Sequence, residues 1–268
     1  MEFITLNNGV QMPCIGMGGW AQKSENIIDA INVGYRLIDT AAQYENEAEI
    51  GKAVAECGVP RDKLFVTTKL WTEDIRQRRV KEAFKESLNR LGLEYIDLYI
   101  IHWPAAGFEE AYLVMEELYR EGFIKAIGVS NFEVHHLDEL TLAGATITPA
   151  VDQIESHPYF TNDVVVEECK KRGIVPEAWC PLGGPGSGEL NDDVIKQIAK
   201  IHNKTTAQVI VRWHYQRGVV AIPKTSNPER ASVNRDVFDF ILSEDEMKMI
   251  SGLDKGLRLG AHPDNFDF

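Results

Sequence analysis

From residue 14 to residue 223 the chain alternates short apolar runs of strand length with longer amphipathic stretches, and no proline- or glycine-rich linker divides it. The strand-like runs are 14–18, 35–40, 64–70, 95–103, 124–130, 150–155, 173–180 and 218–223. The stretches with helical period are 24–33, 46–57, 75–91, 109–121, 133–142, 161–172, 191–217 and 227–236. Near-continuous apolar strands separated by helices imply a parallel sheet covered on its faces. Eight such units in sequence fit an α/β fold of the closed (β/α)₈ TIM-barrel kind better than an open doubly wound sheet. The 268 residues match the length of about 250 that such a barrel needs, so residues 1–268 are expected to form a single domain.

Before the first unit, FITLNNGVQMP reads as two alternating strands around Asn8-Gly9, a strong hairpin signal that would plug the bottom of the barrel. After the last, a short helix capped at Ser243 leads into an irregular tail. Hydrophobic residues make up 44% and charged residues 26%, the mix of a soluble globular protein. No apolar run reaches the roughly 18 residues of a membrane span. The opening residues lack the basic-then-apolar order of a signal peptide, so a cytoplasmic location is expected. A net charge of −13 argues against nucleic acid, which is held by clustered lysine and arginine. The four cysteines, Cys14, Cys57, Cys169 and Cys180, are dispersed without a C-x-x-C pair. They are expected to be reduced and unreactive, and neither a metal nor a disulfide is called for.

Catalytic residues of such barrels sit at the carboxyl ends of the strands. Here those ends carry Asp39, Lys69, His102, Ser130 with Asn131, Gln153, Trp179 and Lys224, a polar and aromatic set that follows buried runs. Asp39, Tyr44, Lys69 and His102 make a plausible acid constellation. A phenol with a pKa of about 10 is a weak acid near neutrality. A lysine ammonium beside it lowers that value, and an aspartate keeps the ammonium charged. A neutral histidine can donate a hydrogen bond to a substrate carbonyl. Together these suit hydride addition to a carbonyl.

No side chain supplies hydride, so a cofactor is required. The segments GMGGW (16–20) and GGPGSG (183–188) both fail the G-x-G-x-x-G spacing, so the site is not of the Rossmann kind. IPKTSNPER (222–230) follows the last strand, where barrels bind phosphate through a loop and a helix N-terminus, and Lys224 and Arg230 there could hold a phosphate ester.

The blocks IDTAAQYENE, TTKLW, YIDLYIIHWP, AIGVSNF, DQIESHP, EAWCPLGG and IPKTSNPER, in this order, resemble the aldo-keto reductases over nearly the whole chain. The chain is most similar in loop lengths to their bacterial branch of diketogluconate reductases. The resemblance implies a catalytic tetrad of Asp39, Tyr44, Lys69 and His102, with Tyr44 as the acid. It implies NADPH/NADP+ as cofactor. Ser130, Asn131 and Gln153 would hold the nicotinamide carboxamide and Trp179 would stack on its ring. Pro181, Leu182 and Gly183 would open a glycine-rich loop over the pyrophosphate. Lys224, Thr225, Ser226 and Arg230 would meet the 2′-phosphate and Asn234 the adenine. Trp20, Trp71 and Trp103 would wall an open substrate pocket, with Phe108 and the tail 258–268 at its rim. The implied activity is reduction of a broad class of aldehydes and ketones, keto sugars included, by a monomer. Asp152 and Cys180 depart from the commonest family pattern, which has asparagine and serine there.

Three rival readings use the same residues differently. A cofactor-binding sensor would bind NADPH without turnover. A Schiff-base lyase would need Lys69 as a nucleophile of lowered pKa. A metal-dependent hydrolase would need histidine ligands, and His135 and His136 are adjacent, expected to point apart on a solvated helix face.

Overall fold

The computed structural model describes residues 2–268. Strands β1 (Phe3–Thr5) and β2 (Gln11–Pro13) form the expected antiparallel hairpin, with Gly9 in the left-handed conformation at its turn (φ 87°). Eight parallel strands follow: β3 (Gly16–Gly18), β4 (Leu37–Asp39), β5 (Phe65–Leu70), β6 (Ile96–Ile101), β7 (Ile124–Ser130), β8 (Val151–Glu155), β9 (Val175–Trp179) and β10 (Val220–Ala221). They pair in chain order from β3 to β10, and a parallel bridge between Ile15 and Ala221 closes the ring. This is the (β/α)₈ barrel.

The helices alternate with the strands as α1 (Ser24–Asn32), α2 (Glu47–Glu56), α3 (Thr72–Arg76), α4 (Val80–Leu91), α5 (Phe108–Arg120), α6 (Val134–Leu142), α7 (Asp163–Lys171), α8 (Asp193–His202), α9 (Thr206–Gln216), α10 (Pro228–Arg235) and α11 (Glu244–Ser251). Two stretches that read as single helices are broken. Arg78 turns left-handed (φ 56°) between α3 and α4, and Asn203 (φ 53°) ends α8. Thr205 then restarts α9 with a capping box to Gln208. Helix α11 begins at its expected cap, Ser243.

The barrel interior is layered. Leu37, Phe65, Leu98, Val151, Val175 and Val220 pack together near the amino ends of the strands, against Leu6 and Met12 of the hairpin. Burying each of those two hairpin side chains contributes about 1.5–3 kcal/mol and seals that end. Side chains alternate between faces along a strand, so the residues two and four further on look into the same interior. Those positions include Asp39, Lys69, His102, Gln153, Glu155, Glu177 and Trp179. One period-2 rule thus puts an apolar floor and a polar ceiling in a single barrel.

Asp152 faces the other way, toward the helices. It is fully buried; Phe132 N approaches its Oδ1 at 3.4 Å and the Cys169 thiol its Oδ2 at 3.8 Å. Burial pushes its carboxyl well above the usual carboxylate range. A carboxyl with a raised folded-state pKa holds its proton more tightly folded than unfolded, so folding favours its neutral form. The stability it contributes is complete below its unfolded pKa and is lost as pH rises through the folded value. Asp152→Asn keeps the acceptor for Phe132 and removes the titration. The variant is expected to melt higher at neutral pH, by about 2–4 °C for each kcal/mol recovered. The gain should vanish near pH 4; thermal melts of both proteins across that range that run parallel would refute the assignment.

Candidate active site

Asp39 closes β4, and the chain then winds into one short 3₁₀ turn, Ala42–Tyr44, which delivers Tyr44 to the carboxyl end of the barrel. Asn46 holds this turn down by donating to Gly19 O (2.7 Å) and Gln22 O (3.0 Å) and by accepting from Thr40 Oγ1 (2.9 Å). Lys69 is 0% exposed on β5, and its Nζ donates to Asp39 Oδ1 at 2.5 Å and to Thr40 O at 2.8 Å. The same Nζ lies 5.0 Å from the centroid of the Tyr44 ring. His102 follows β6 and meets Tyr44 edge to face at 5.6 Å. Asp39, Tyr44, Lys69 and His102, distant in sequence, therefore share one corner of the polar layer.

The electrostatics of this corner follow from burial and charge. Burial disfavours the Lys69 ammonium, yet Asp39, Tyr44 and Glu177 together hold its pKa above the ordinary lysine value. A lysine held charged is no imine-forming nucleophile, and the Schiff-base reading falls with it. Burial, followed by the Lys69 charge, pushes the His102 imidazolium well down, so the ring is neutral and can present an N–H. For Tyr44 the expected direction is reversed. Lys69 does pull its hydroxyl down, but burial outweighs that pull and leaves the pKa raised. The tyrosine is thus a firmly protonated group whose neighbouring ammonium offsets part of the cost of ionising it.

Beside this corner Ser130, Asn131, Gln153 and Trp179 form one hydrogen-bonded cluster. Asn131, left-handed (φ 61°) just beyond β7, donates to His102 O (2.9 Å) and Ser130 Oγ (3.1 Å). The Trp179 indole N–H donates to Asn131 Oδ1 at 2.8 Å, which fixes the plane of its ring. Ser130 Oγ donates to Gln153 O at 2.7 Å. A pinned flat indole with amides and a hydroxyl at its edge suits a planar ring bearing a carboxamide. Pro181 is fastened by buried His214, whose Nε2 is 3.2 Å from the proline carbonyl. Leu182 packs on the core beside it, and Gly183 (φ 72°) has no room for a Cβ against the Glu189 carboxylate.

The loop after β10 carries Lys224, Thr225, Ser226 and Arg230 to the N-terminus of α10. Asn227 caps that helix by accepting from Arg230 N at 2.8 Å, and Thr225 Oγ1 accepts from Asn227 N at 3.1 Å. Among the described residues neither Lys224 nor Arg230 has a carboxylate partner, and Arg230 is exposed. Two cations that face no carboxylate among the described residues, at a helix N-terminus, suit a phosphate ester. Asn234 lies buried on the inner side of the same helix. Lys224 stands 4.4 Å over the ring of Trp20, which is 61% exposed and pairs with this cation instead of with the other two tryptophans.

Trp71 and Trp103 do form an aromatic wall, completed by the tail. Trp71 stacks on Phe268 at 5.6 Å and meets the His102 ring at 5.2 Å; Trp103 packs on Phe266 and Phe268. Arg76 holds the Phe268 carbonyl oxygen at 2.8 Å. Phe108 is not at this rim: it is buried in the outer core against Phe132 and His136. His136 is likewise buried, not solvated, and does not point away from His135. Their Nε2 atoms lie 3.4 and 3.1 Å from the same oxygen of Asp264 in the tail. His136 Nδ1 accepts from Glu133 N (3.0 Å), and burial lowers its pKa to about 4, so its Nε2 carries the proton. That nitrogen offers Asp264 a donor and a metal no lone pair.

Two features were missed in the sequence. Glu177 sits wholly buried on β9, two residues before Trp179 and hence on the same inner face. Buried His157 bridges Glu155 (3.1 Å) and Glu189 (2.6 Å). Although burial opposes it, these carboxylates raise the imidazole pKa. Glu155 also accepts from Leu259 N (2.5 Å) and Gly260 N (3.0 Å), so this network joins the tail to the segment after the glycine-rich loop. The four cysteines are free; Cys180, the exposed one, has a thiol pushed up to about 11 by burial and by Glu155 and Glu189.

Known proteins resemble this chain in sequence and fold. Residues 15–255 match the model of the aldo/keto reductase family. A morphine 6-dehydrogenase of Pseudomonas putida is 46% identical, aligned over 98% of this chain and 95% of its own length. A glyoxal reductase of Bacillus subtilis is 46% identical over 100% of this chain and 98% of its own. The crystal structure of MGS-M4, an aldo-keto reductase from a Medee basin deep-sea metagenome library, superposes with a TM-score of 0.95 at 42% identity, covering 99% of this chain and 100% of its own. The chain belongs to the aldo/keto reductase family.

Proposed function

We propose that this chain is an NADPH-dependent carbonyl reductase that converts small aldehydes and ketones, keto sugars included, to alcohols. The observation that carries the reading is the buried Lys69–Asp39 pair set against Tyr44 and neutral His102 where the barrel strands end. The reduced nicotinamide, when bound, supplies the hydride. His102 orients the substrate carbonyl through its N–H, and Tyr44 gives its proton to the carbonyl oxygen as negative charge grows there. Lys69, held charged by Asp39, stabilises the phenolate left behind. Ser130, Asn131 and Gln153 hold the carboxamide, Trp179 stacks on the ring, and the segment from Pro181 through Gly183 leads into the loop over the pyrophosphate.

The tail and Trp71 with Trp103 supply an apolar wall without a charged anchor, which favours a tolerant pocket. Names among the relatives span morphine, glyoxal and methylglyoxal, in keeping with a broad carbonyl class. We take the enzyme to be a monomer, in keeping with the family resemblance, and to act in the cytoplasm. No helix of the described residues is long and apolar enough to cross a membrane. The test is loss of nicotinamide absorbance with a panel of aldehydes, offered NADPH and NADH in turn. Turnover that prefers NADPH supports the reading. Tight NADPH binding with no turnover on any carbonyl would replace it with the sensor.

The preference for NADPH rests on Lys224, Thr225, Ser226 and Arg230 meeting the 2′-phosphate, with Asn234 at the adenine. A charge-assisted hydrogen bond contributes about 1.5–3 kcal/mol. Arg230→Ala is therefore expected to weaken NADPH by about 10–100-fold and to leave NADH nearly unchanged. Equal losses for both dinucleotides, measured by fluorescence titration, would remove this assignment.

A further inference from the structure

Gln153 stands between two carboxyl groups. Its Nε2 lies 2.8 Å from Asp39 Oδ2 and 2.8 Å from Glu177 Oε2. Gln153 and Glu177 are register partners on β8 and β9, so this closeness is built into the sheet. Asp39 already accepts from the Lys69 ammonium and meets its neighbours as an acceptor. The nitrogen of the amide, not its oxygen, must therefore face it, and that nitrogen has two N–H groups. One bond to Asp39 would leave the amide free to pivot about it. A second bond, to Glu177, fixes the plane.

The surroundings of Glu177 keep it in place as an acceptor. Asp39 and Lys69 are the charged groups that face it; the neighbouring strands present Gln153 and Val220. Burial and the Asp39 charge raise its carboxyl to about 8, and its Oε1 is buried without a partner. Near neutral pH it is a neutral acid whose Oε2 still accepts from Gln153.

We propose that Glu177 is a positioning residue for the cofactor: with Asp39 it fixes the Gln153 amide so that the carbonyl oxygen receives an N–H of the nicotinamide carboxamide. The inference deepens the cofactor reading above and rests on it. Its consequence is selectivity for a pyridine ring that carries a donor amide over one that carries a carbonyl alone.

The test compares the dissociation constants of NADP+ and of its 3-acetylpyridine analogue, which lacks the amide N–H, by quenching of tryptophan fluorescence. The wild type is expected to favour NADP+ by about tenfold, the worth of one buried hydrogen bond. Glu177→Leu removes the second acceptor and should bring the two constants within roughly twofold of each other. Glu177→Gln retains an acceptor oxygen at the same reach and should restore the preference. Where the leucine variant does not fold by circular dichroism, Glu177→Asp, too short to reach Gln153, carries the same expectation as leucine. A preference unchanged in the leucine or aspartate variant, or lost in the glutamine variant, overturns the proposal. So does a wild type that binds both dinucleotides equally. A wild type that binds neither overturns the cofactor reading itself, a result distinct from binding without selectivity.

Discussion

Tyr44→Phe is expected to lower turnover of an aldehyde by about 10²–10⁴, the usual contribution of a positioned general acid, while NADPH still binds. The substitution deletes one oxygen and keeps the ring that packs on His102 and faces Lys69, so the fold has little to lose. The pH profile carries a second part of the prediction. Burial raises the Tyr44 pKa and Lys69 only partly offsets it, so the hydroxyl stays protonated throughout the neutral range. Reduction, which uses the protonated form, should be flat through that range and fall only above the ordinary phenol value of about 10. Alcohol oxidation needs the phenolate and should climb with pH over the same interval. Single-turnover rates in both directions test this directly. A phenylalanine variant that retains wild-type turnover would end the assignment of Tyr44 as the acid.

That prediction depends on a quantity the sequence does not carry. The convergence of the four residues was readable, since polar residues that close apolar runs in a barrel gather at one mouth. The balance between Lys69 and desolvation at Tyr44 was not, because it is set by how much of the barrel mouth covers the hydroxyl. The strands were readable for a similar reason: parallel strands buried on both faces leave uninterrupted apolar runs. The helix breaks divide along the same line. Asn203 with a capping box at Thr205 and Gln208 left a local signal, whereas Arg78 in a left-handed turn left none. Phe108 and His136 were misplaced because residues around a helix start give no sign of which side meets the core. Glu177 could have been found: a carboxylate inside an apolar strand, two residues before Trp179, shares its inward face.

Lys69→Met is expected to act on stability and chemistry at once, and the two effects can be separated. Removing the ammonium leaves Asp39 buried without its partner at 2.5 Å, and breaking a buried pair in this way costs about 3–5 kcal/mol. Glu177, joined to Asp39 through Gln153, is already a neutral acid near this pH and supplies no cation in place of the ammonium, so the Asp39 charge is left stranded. Turnover should fall with stability, because nothing then supports the phenolate of Tyr44, and the rise of alcohol oxidation with pH should move further into the alkaline range. Adding Asp39→Asn removes the stranded charge. The double variant should recover most of the melting temperature lost in Lys69→Met, and none of the turnover. Thermal melts and steady-state rates on the two single variants and the double variant complete the cycle. If the double variant regained activity along with stability, the pair would be structural and the ammonium would have no part in the chemistry.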